Sequence, residues 1–174
     1  GTPVTAADYE FALKVVKNPK VDCESLRPYF EFIFDLEIDP NNPIGYFKLA
    51  TVYYSLGNFP IAISRVDEAI RIDPDNKWYY LLLTRCYLAM SDFPKATETV
   101  KKVIELEPDN IEYQLELVEL YAQQSKYDKA IETLNEVERR YGSNPEFNIR
   151  KQEFYMANGQ ADKAIETCKL LIEQ

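Results

Sequence analysis

The sequence predicts an all-α fold in which antiparallel helix pairs stack side by side into a solenoid, and three observations carry that expectation. The first is a helix stop that returns at fixed distance: Ile38-Asp39-Pro40-Asn41-Asn42, Ile72-Asp73-Pro74-Asp75-Asn76 and Leu106-Glu107-Pro108-Asp109-Asn110, whose prolines stand 34 residues apart. Self-similarity at this period marks stacked helical repeats. In each copy an apolar residue ends one helix, an acid and a proline prevent its continuation, and Asp or Asn starts the next. The second observation is that other residues keep the same register. Tyr53, Tyr87, Tyr121 and Tyr155 do so, as do Ala62, Ala96, Ala130 and Ala164. Leu49, Leu83 and Leu117 form a third series broken by Lys151, and Phe59, Phe93 and Tyr127 a fourth that ends in Ala161. The third observation is a mid-repeat turn residue, Gly57, Ser91, Ser125 and Gly159, where a small side chain or a positive φ is wanted.

The elements follow in chain order. From Val4 to Asn18, Ala7, Phe11, Val15 and Val16 recur at helical steps, with Thr5 and Asp8 placed as a capping pair and Asn18-Pro19 as the stop. A second helix over Leu26 to Ile38 is capped by Ser25, which leaves Pro28 in the first turn. Tyr29, Phe30, Phe32, Ile33, Phe34 and Leu36 give it hardly any polar face, so it is expected to be covered on more than one side. Residues 1–42 therefore read as a degenerate repeat-like hairpin capping the stack. Four repeats follow, 43–76, 77–110, 111–144 and 145–174, each with a first helix up to the turn and a second helix up to the stop. Pro60 and Pro94 fall at the start of the second helices, where a missing N–H costs nothing. The recurring alanines mark close approach of the two helices of a pair. The last helix, Lys163 to Gln174, puts Ile165, Cys168, Leu171 and Ile172 on one face. Solenoids need a polar-faced end, so the chain is expected either to be a piece of a longer array or to form a homodimer through this helix.

Composition narrows the function classes. A net charge of −9, with no histidine, disfavours binding to a phosphate backbone, which needs clustered Lys and Arg. No nucleic-acid partner is expected. Cys23, Cys86 and Cys168 show no metal-ligand spacing and form no even set of disulfides, so they read as small packing residues. No apolar run approaches the ~18 residues that a membrane span requires, and no membrane insertion is expected. The chain opens on Gly1 rather than Met and reads as a processed or excised piece, so the lack of a targeting segment says little. Its compartment is unassigned: cytoplasmic by default, with an exported or periplasmic location left open.

The large residue, small residue, aromatic and terminal proline recurring in order over residues 43–174 resemble the tetratricopeptide repeat (TPR) family. That resemblance implies a right-handed α-solenoid, a TPR-like superhelix. The match decays toward the C-terminus, because the Trp usual in the family's first helix is replaced by Tyr46 and Tyr80, then by Gln114 and Asn148. The resemblance also implies a concave surface lined by six positions of each first helix. The first repeat supplies Ile44, Phe47, Lys48, Thr51, Tyr54 and Ser55; the second supplies Trp78, Leu81, Leu82, Arg85, Leu88 and Ala89. From the third come Glu112, Leu115, Glu116, Glu119, Ala122 and Gln123, and from the fourth Glu146, Ile149, Arg150, Glu153, Met156 and Ala157. An aromatic and aliphatic half carrying two bases gives way to an acidic half. Aromatic and Arg residues are common partner anchors, and a partner segment with an apolar or acidic end followed by Lys or Arg complements this lining. The competing reading is that Phe47, Leu81 and Leu82 pack on a neighbouring first helix while Trp78 rests on the N-terminal hairpin. Family members that grip a chaperone's C-terminal carboxylate place bases and asparagines where this chain has Phe47, Thr51, Leu82, Glu112 and Glu116. Two acids there repel a carboxylate, and that specialised use is excluded.

Catalysis has little to stand on. The sequence holds no His for a triad or zinc site, no Gly-rich phosphate loop and no acidic cluster at calcium-loop spacing. Neither a metal nor a cofactor is expected. Glu116 and Glu119 could be forced into a glycosidase-like pair, but acids one helical turn apart are ordinarily a solvated face, and a cysteine nucleophile lacks a His base. The expected function is a non-catalytic scaffold that holds a peptide or helical segment of another protein in the groove. The alternatives are a self-assembly module working through the last helix and an accessory domain of a larger protein.

Overall fold

The structure, a computed structural model, describes residues 40–172. The two N-terminal helices expected between residues 4 and 38 lie outside the described residues, as do the side chains of Leu171 and Ile172. Eight helices are present among the described residues: α1 Pro43–Ser55, α2 Phe59–Ile72, α3 Lys77–Ala89, α4 Phe93–Leu106, α5 Ile111–Gln123, α6 Tyr127–Tyr141, α7 Pro145–Ala157 and α8 Ala161–Ile172. They contain no strand, and the fold class is the all-α TPR-like solenoid that the sequence predicts. The chain divides into two compact units, residues 1–74 and 75–174. Within the first, α1 packs on α2; within the second, α3, α5 and α7 pack on α4, α6 and α8, with α4 also against α5 and α6 against α7.

Each pair repeats the same backbone chemistry. The Oδ1 atoms of Asn42, Asn76, Asn110 and Asn144 accept hydrogen bonds from the N–H groups of Ile44, Trp78, Glu112 and Glu146 at 3.0, 3.2, 3.0 and 2.9 Å. Such caps satisfy donors that a helix start leaves unpaired, at about 1 kcal/mol each. The first helices end in the left-handed region: φ is +73° at Gly57, +58° at Ser91, +55° at Ser125 and +71° at Gly159. The next residue's N–H then reaches back to the carbonyl of Tyr53, Tyr87, Tyr121 or Tyr155, at 2.8–2.9 Å, the closure that a left-handed C-terminal residue permits. The periodic tyrosines therefore sit where each turn is locked. Their rings matter too, since Lys95, Lys129 and Lys163, again one period apart, lie 5.3, 5.8 and 5.6 Å from the ring centres of Tyr87, Tyr121 and Tyr155.

The four periodic alanines are fully or almost fully buried, as expected where two helices of a pair approach closely. In the second unit one apolar cluster runs without a break from Ala96 and Val100 on α4, through Leu117 and Tyr121 on α5 and Leu134 and Val137 on α6, to Phe147 and Phe154 on α7. The joint between the third and fourth repeats lacks the Asp/Glu-Pro stop. There Gly142, at φ +94°, ends α6, a conformation in which glycine carries no Cβ penalty.

The break in the leucine series has a structural cause. Lys151 occupies a core position, 8% exposed, and its Nζ donates to Glu138 Oε2 at 2.7 Å and to Asn135 Oδ1 at 3.3 Å. The fourth repeat forms the same helix pair as the others, with an ion pair where the third repeat places Leu117 in the apolar cluster.

Candidate functional site

In the first unit, Ile44, Lys48, Thr51 and Ser55 are exposed on α1, and Phe47 and Tyr54 are half-buried. The hydroxyls of Thr51 and Ser55 donate to the α1 carbonyls of Phe47 and Thr51 at 2.9 and 3.0 Å. The Tyr54 ring packs 5.7 Å from Phe59 of α2. Lys48 and Thr51 are thus accessible, while the rings of Phe47 and Tyr54 are partly buried.

In the second unit, positions from consecutive first helices are brought together. Arg85 of α3 lies close enough to Glu116 of α5 to draw its carboxyl pKa downward, although burial is the larger influence and leaves it above the usual range. Arg150 of α7 forms an ion pair with Glu119 of α5, and its guanidinium carbon is 5.6 Å from the centre of the Phe154 ring. A cavity of about 350 Å³ opens between α5, α6 and α7. Its deepest lining is Val118, Leu134 and Phe147, all buried. Leu115 and Ile149 line it as well, and Glu119, Glu146 and Arg150 carry its charges. Three large apolar side chains stand open on the same set of positions: Trp78 at 58% exposed, Ile149 at 46%, and Met156. Lys77 lies beside Trp78, its Nζ 5.1 Å from the indole centre. The same ammonium meets Glu107 Oε1 at 2.5 Å, and that hydrogen bond raises the Lys77 pKa.

Some expected site residues fall elsewhere. Leu82 is 6% exposed and belongs to the interior, not to an open lining. Its position recurs at Glu116 and Arg150, both only partly buried; long polar side chains reach out from this inward-leaning place, and a leucine stays in. Leu88 packs half-buried against the core cluster, and Leu81 is half-buried. Arg85, Glu112 and Glu119 are exposed as expected. Sequence reasoning put Leu115, Ile149 and Arg150 on this face, and it missed Val118 and Phe147, whose hydrophobicity alone marks them as core. The pairing of Arg150 with Glu119 joins adjacent repeats, so only a 31-residue separation combined with opposite charge could have suggested it.

Burial pushes the Cys86 thiol up to about 11, so it carries almost no thiolate at neutral pH. Among the described residues no group of three or more His, Cys, Asp or Glu is placed to hold a metal ion. No helix among them is long and apolar enough to cross a membrane.

None of the curated proteins matches the sequence. Among solved structures, the chain is similar to MamA at 19% identity and a TM-score of 0.63, covering 98% of this chain and 95% of that one. It is similar to YrrB, described as a TPR protein with an unusual peptide-binding site, at 17% identity and a TM-score of 0.58, covering 82% and 74%. The first TPR of Spaghetti (RPAP3), solved bound to an HSP90 peptide, matches at 24% identity and a TM-score of 0.50, covering 54% and 76%. At these identities the likeness is one of fold. A tetratricopeptide repeat profile matches residues 61–119 and again 87–148, together just over half of the 174 residues, and with the repeated caps, turns and helix pairs this establishes that the chain belongs to the tetratricopeptide repeat family.

Proposed function

We propose that the protein is a non-catalytic interaction scaffold in which the first-helix face of the second unit holds a segment of another protein. The observation that carries this reading is the gathering of Leu115, Glu119, Glu146, Ile149 and Arg150, from two successive repeats, around one cavity. Trp78, Ile149 and Met156 stand exposed on the same set of positions. These three side chains take no part in the buried core, and open aromatic and aliphatic groups beside charged ones are what binding faces present. The family is generally a non-catalytic interaction module, and a peptide-binding site described for YrrB supports the same use here. Among the described residues Glu112, Glu146 and Glu153 form no ion pair, which favours a partner segment that is apolar and carries basic residues.

Trp78 is the only tryptophan, so its fluorescence reports on the proposed face. Crosslinked pull-downs with the intact chain are expected to lose their partner when Trp78→Ala and Arg85→Ala are combined, and the partner is expected to shift the emission of the unaltered protein. A partner retained by the double variant, with unchanged emission, would mean that the face is not the site.

A second reading, self-association through the last helix, has one observation in its favour: Ile165 of α8 is exposed. If it holds, Ile165→Glu shifts the sedimentation of the protein toward a smaller species and leaves partner binding intact.

A further inference from the structure

We infer that the cavity between α5, α6 and α7 receives one bulky apolar side chain of the partner segment, with a nearby Lys or Arg meeting Glu146, and that Arg150 is a built-in competitor for that cation. This rests on the first-helix face being the binding site, and it adds what that site selects.

The size of the cavity sets the first half. About 350 Å³ is at the lower end of the roughly 300–1,000 Å³ of ligand pockets, ample for one Leu, Met, Phe or Trp side chain. Its deepest residues, Val118, Leu134 and Phe147, are buried in the protein core. Interiors are ordinarily close-packed, so an opening that reaches core side chains offers an incoming apolar group the contacts of an interior.

Charge sets the second half. The lining carries two carboxylates, Glu119 and Glu146, against one guanidinium, Arg150. Arg150 is committed to Glu119 and stacks near Phe154, which leaves Glu146 exposed with no ion pair among the described residues. Glu112 and Glu153, on the same set of first-helix positions, are also exposed and form no ion pair among the described residues. A partner's Lys or Arg therefore finds an unmatched carboxylate beside the cavity, and an acidic side chain finds repulsion. A second copy of this chain, at net charge −9, is disfavoured for the same reason. Since Arg150 holds the other carboxylate, it limits the affinity for a cationic segment, and removing its charge should raise that affinity.

The probe is a random library of twelve-residue peptides displayed on phage and selected on the intact chain. The expected consensus is one bulky apolar residue with Lys or Arg within four positions. A synthetic consensus peptide should lose about tenfold in affinity on Glu146→Lys, an exposed charge reversal that removes a favourable acid from the first turn of α7, so circular dichroism also checks that this variant is folded. It should lose at least as much on Leu115→Trp, which fills the cavity, with circular dichroism checking that this variant is folded. Arg150→Gln should bind it several-fold more tightly, with a steeper salt dependence. Acidic consensus peptides, or indifference to both Glu146→Lys and Leu115→Trp, would overturn the pocket. If binding is lost only on Trp78→Ala with Arg85→Ala, the face stands and the pocket falls; if nothing is selected, both fall. Weaker binding by Arg150→Gln would overturn the competitor role.

Discussion

At the same two places on their first helices the third and fourth repeats carry different residues, Glu116-Leu117 on α5 and Arg150-Lys151 on α7. Leu117 joins the apolar cluster that runs through the second unit, and Ile104, on the preceding helix, packs against that cluster. One repeat later the leucine has become Lys151, the isoleucine has become Glu138, and Lys101 has become Asn135. Those two new residues are the partners of the Lys151 ammonium. The lesson is that a helical repeat can exchange an apolar contact for a buried ion pair without changing its backbone, provided both sides of the joint change together. A buried charge without its partner is costly, whereas a matched pair is close to neutral relative to the apolar alternative.

The largest effect should come from copying only half of the exchange. In Leu117→Lys the new ammonium meets Ile104 and a second cation, Lys101, in place of Glu138 and Asn135. Leaving a charge unpaired in the core should cost about 3–5 kcal/mol, read as a collapse of the urea midpoint. A variant as stable as the parent would show that the position does not face the joint. Next in size is Glu138→Ala, which strips Lys151 of its anion and leaves only Asn135. Because the pair retains a little solvent, a loss of about 2–4 kcal/mol is expected, again from urea denaturation. Completing the reverse exchange, Lys151→Leu with Glu138→Ile, should be neutral or stabilise by about 1–2 kcal/mol. A double variant less stable than Glu138→Ala alone would mean that the ion pair holds the fourth repeat together rather than replacing an equivalent contact.

These joints also mark where the sequence was readable and where it was not. Period, helix ends and turns were legible because each rests on a local residue choice: Asn at the cap, proline after the stop, Gly or Ser at a positive φ. The buried alanines were legible because only a small side chain fits where two helices nearly touch. Lys151 was not, since a lysine in a leucine series looks like a lost repeat until the acid 13 residues upstream is known to face it. Leu82 was misplaced for a related reason. Repeat positions assign a direction, but whether a residue reaches solvent from an inward-leaning place depends on its length. The cavity was invisible because it is a gap left by packing among Val118, Leu134 and Phe147, and no single residue spells a gap.

The smallest expected effect concerns the other member of the comparison, Glu116, which stands where the fourth repeat has Arg150. Arg150 has an acid to hold, Glu119, whereas Glu116 is half-buried with only the nearby influence of Arg85 to favour its charge, and burial prevails to raise its pKa. The folded protein therefore keeps the Glu116 proton to higher pH than the unfolded chain does. Between the ordinary carboxylate pKa and the raised one the folded state binds more protons, so stability contributed by this group is present at lower pH and falls as pH rises through that window. Glu116→Gln removes the titration. Its urea midpoint, compared with that of the parent, should gain slightly at pH 7 and show no gain at pH 4, where the parent's carboxyl is largely protonated. An equal shift at both pH values would trace the effect to packing around the side chain, and a loss confined to pH 7 would mean that Arg85 outweighs burial and that Glu116, like Arg150, is a paired charge.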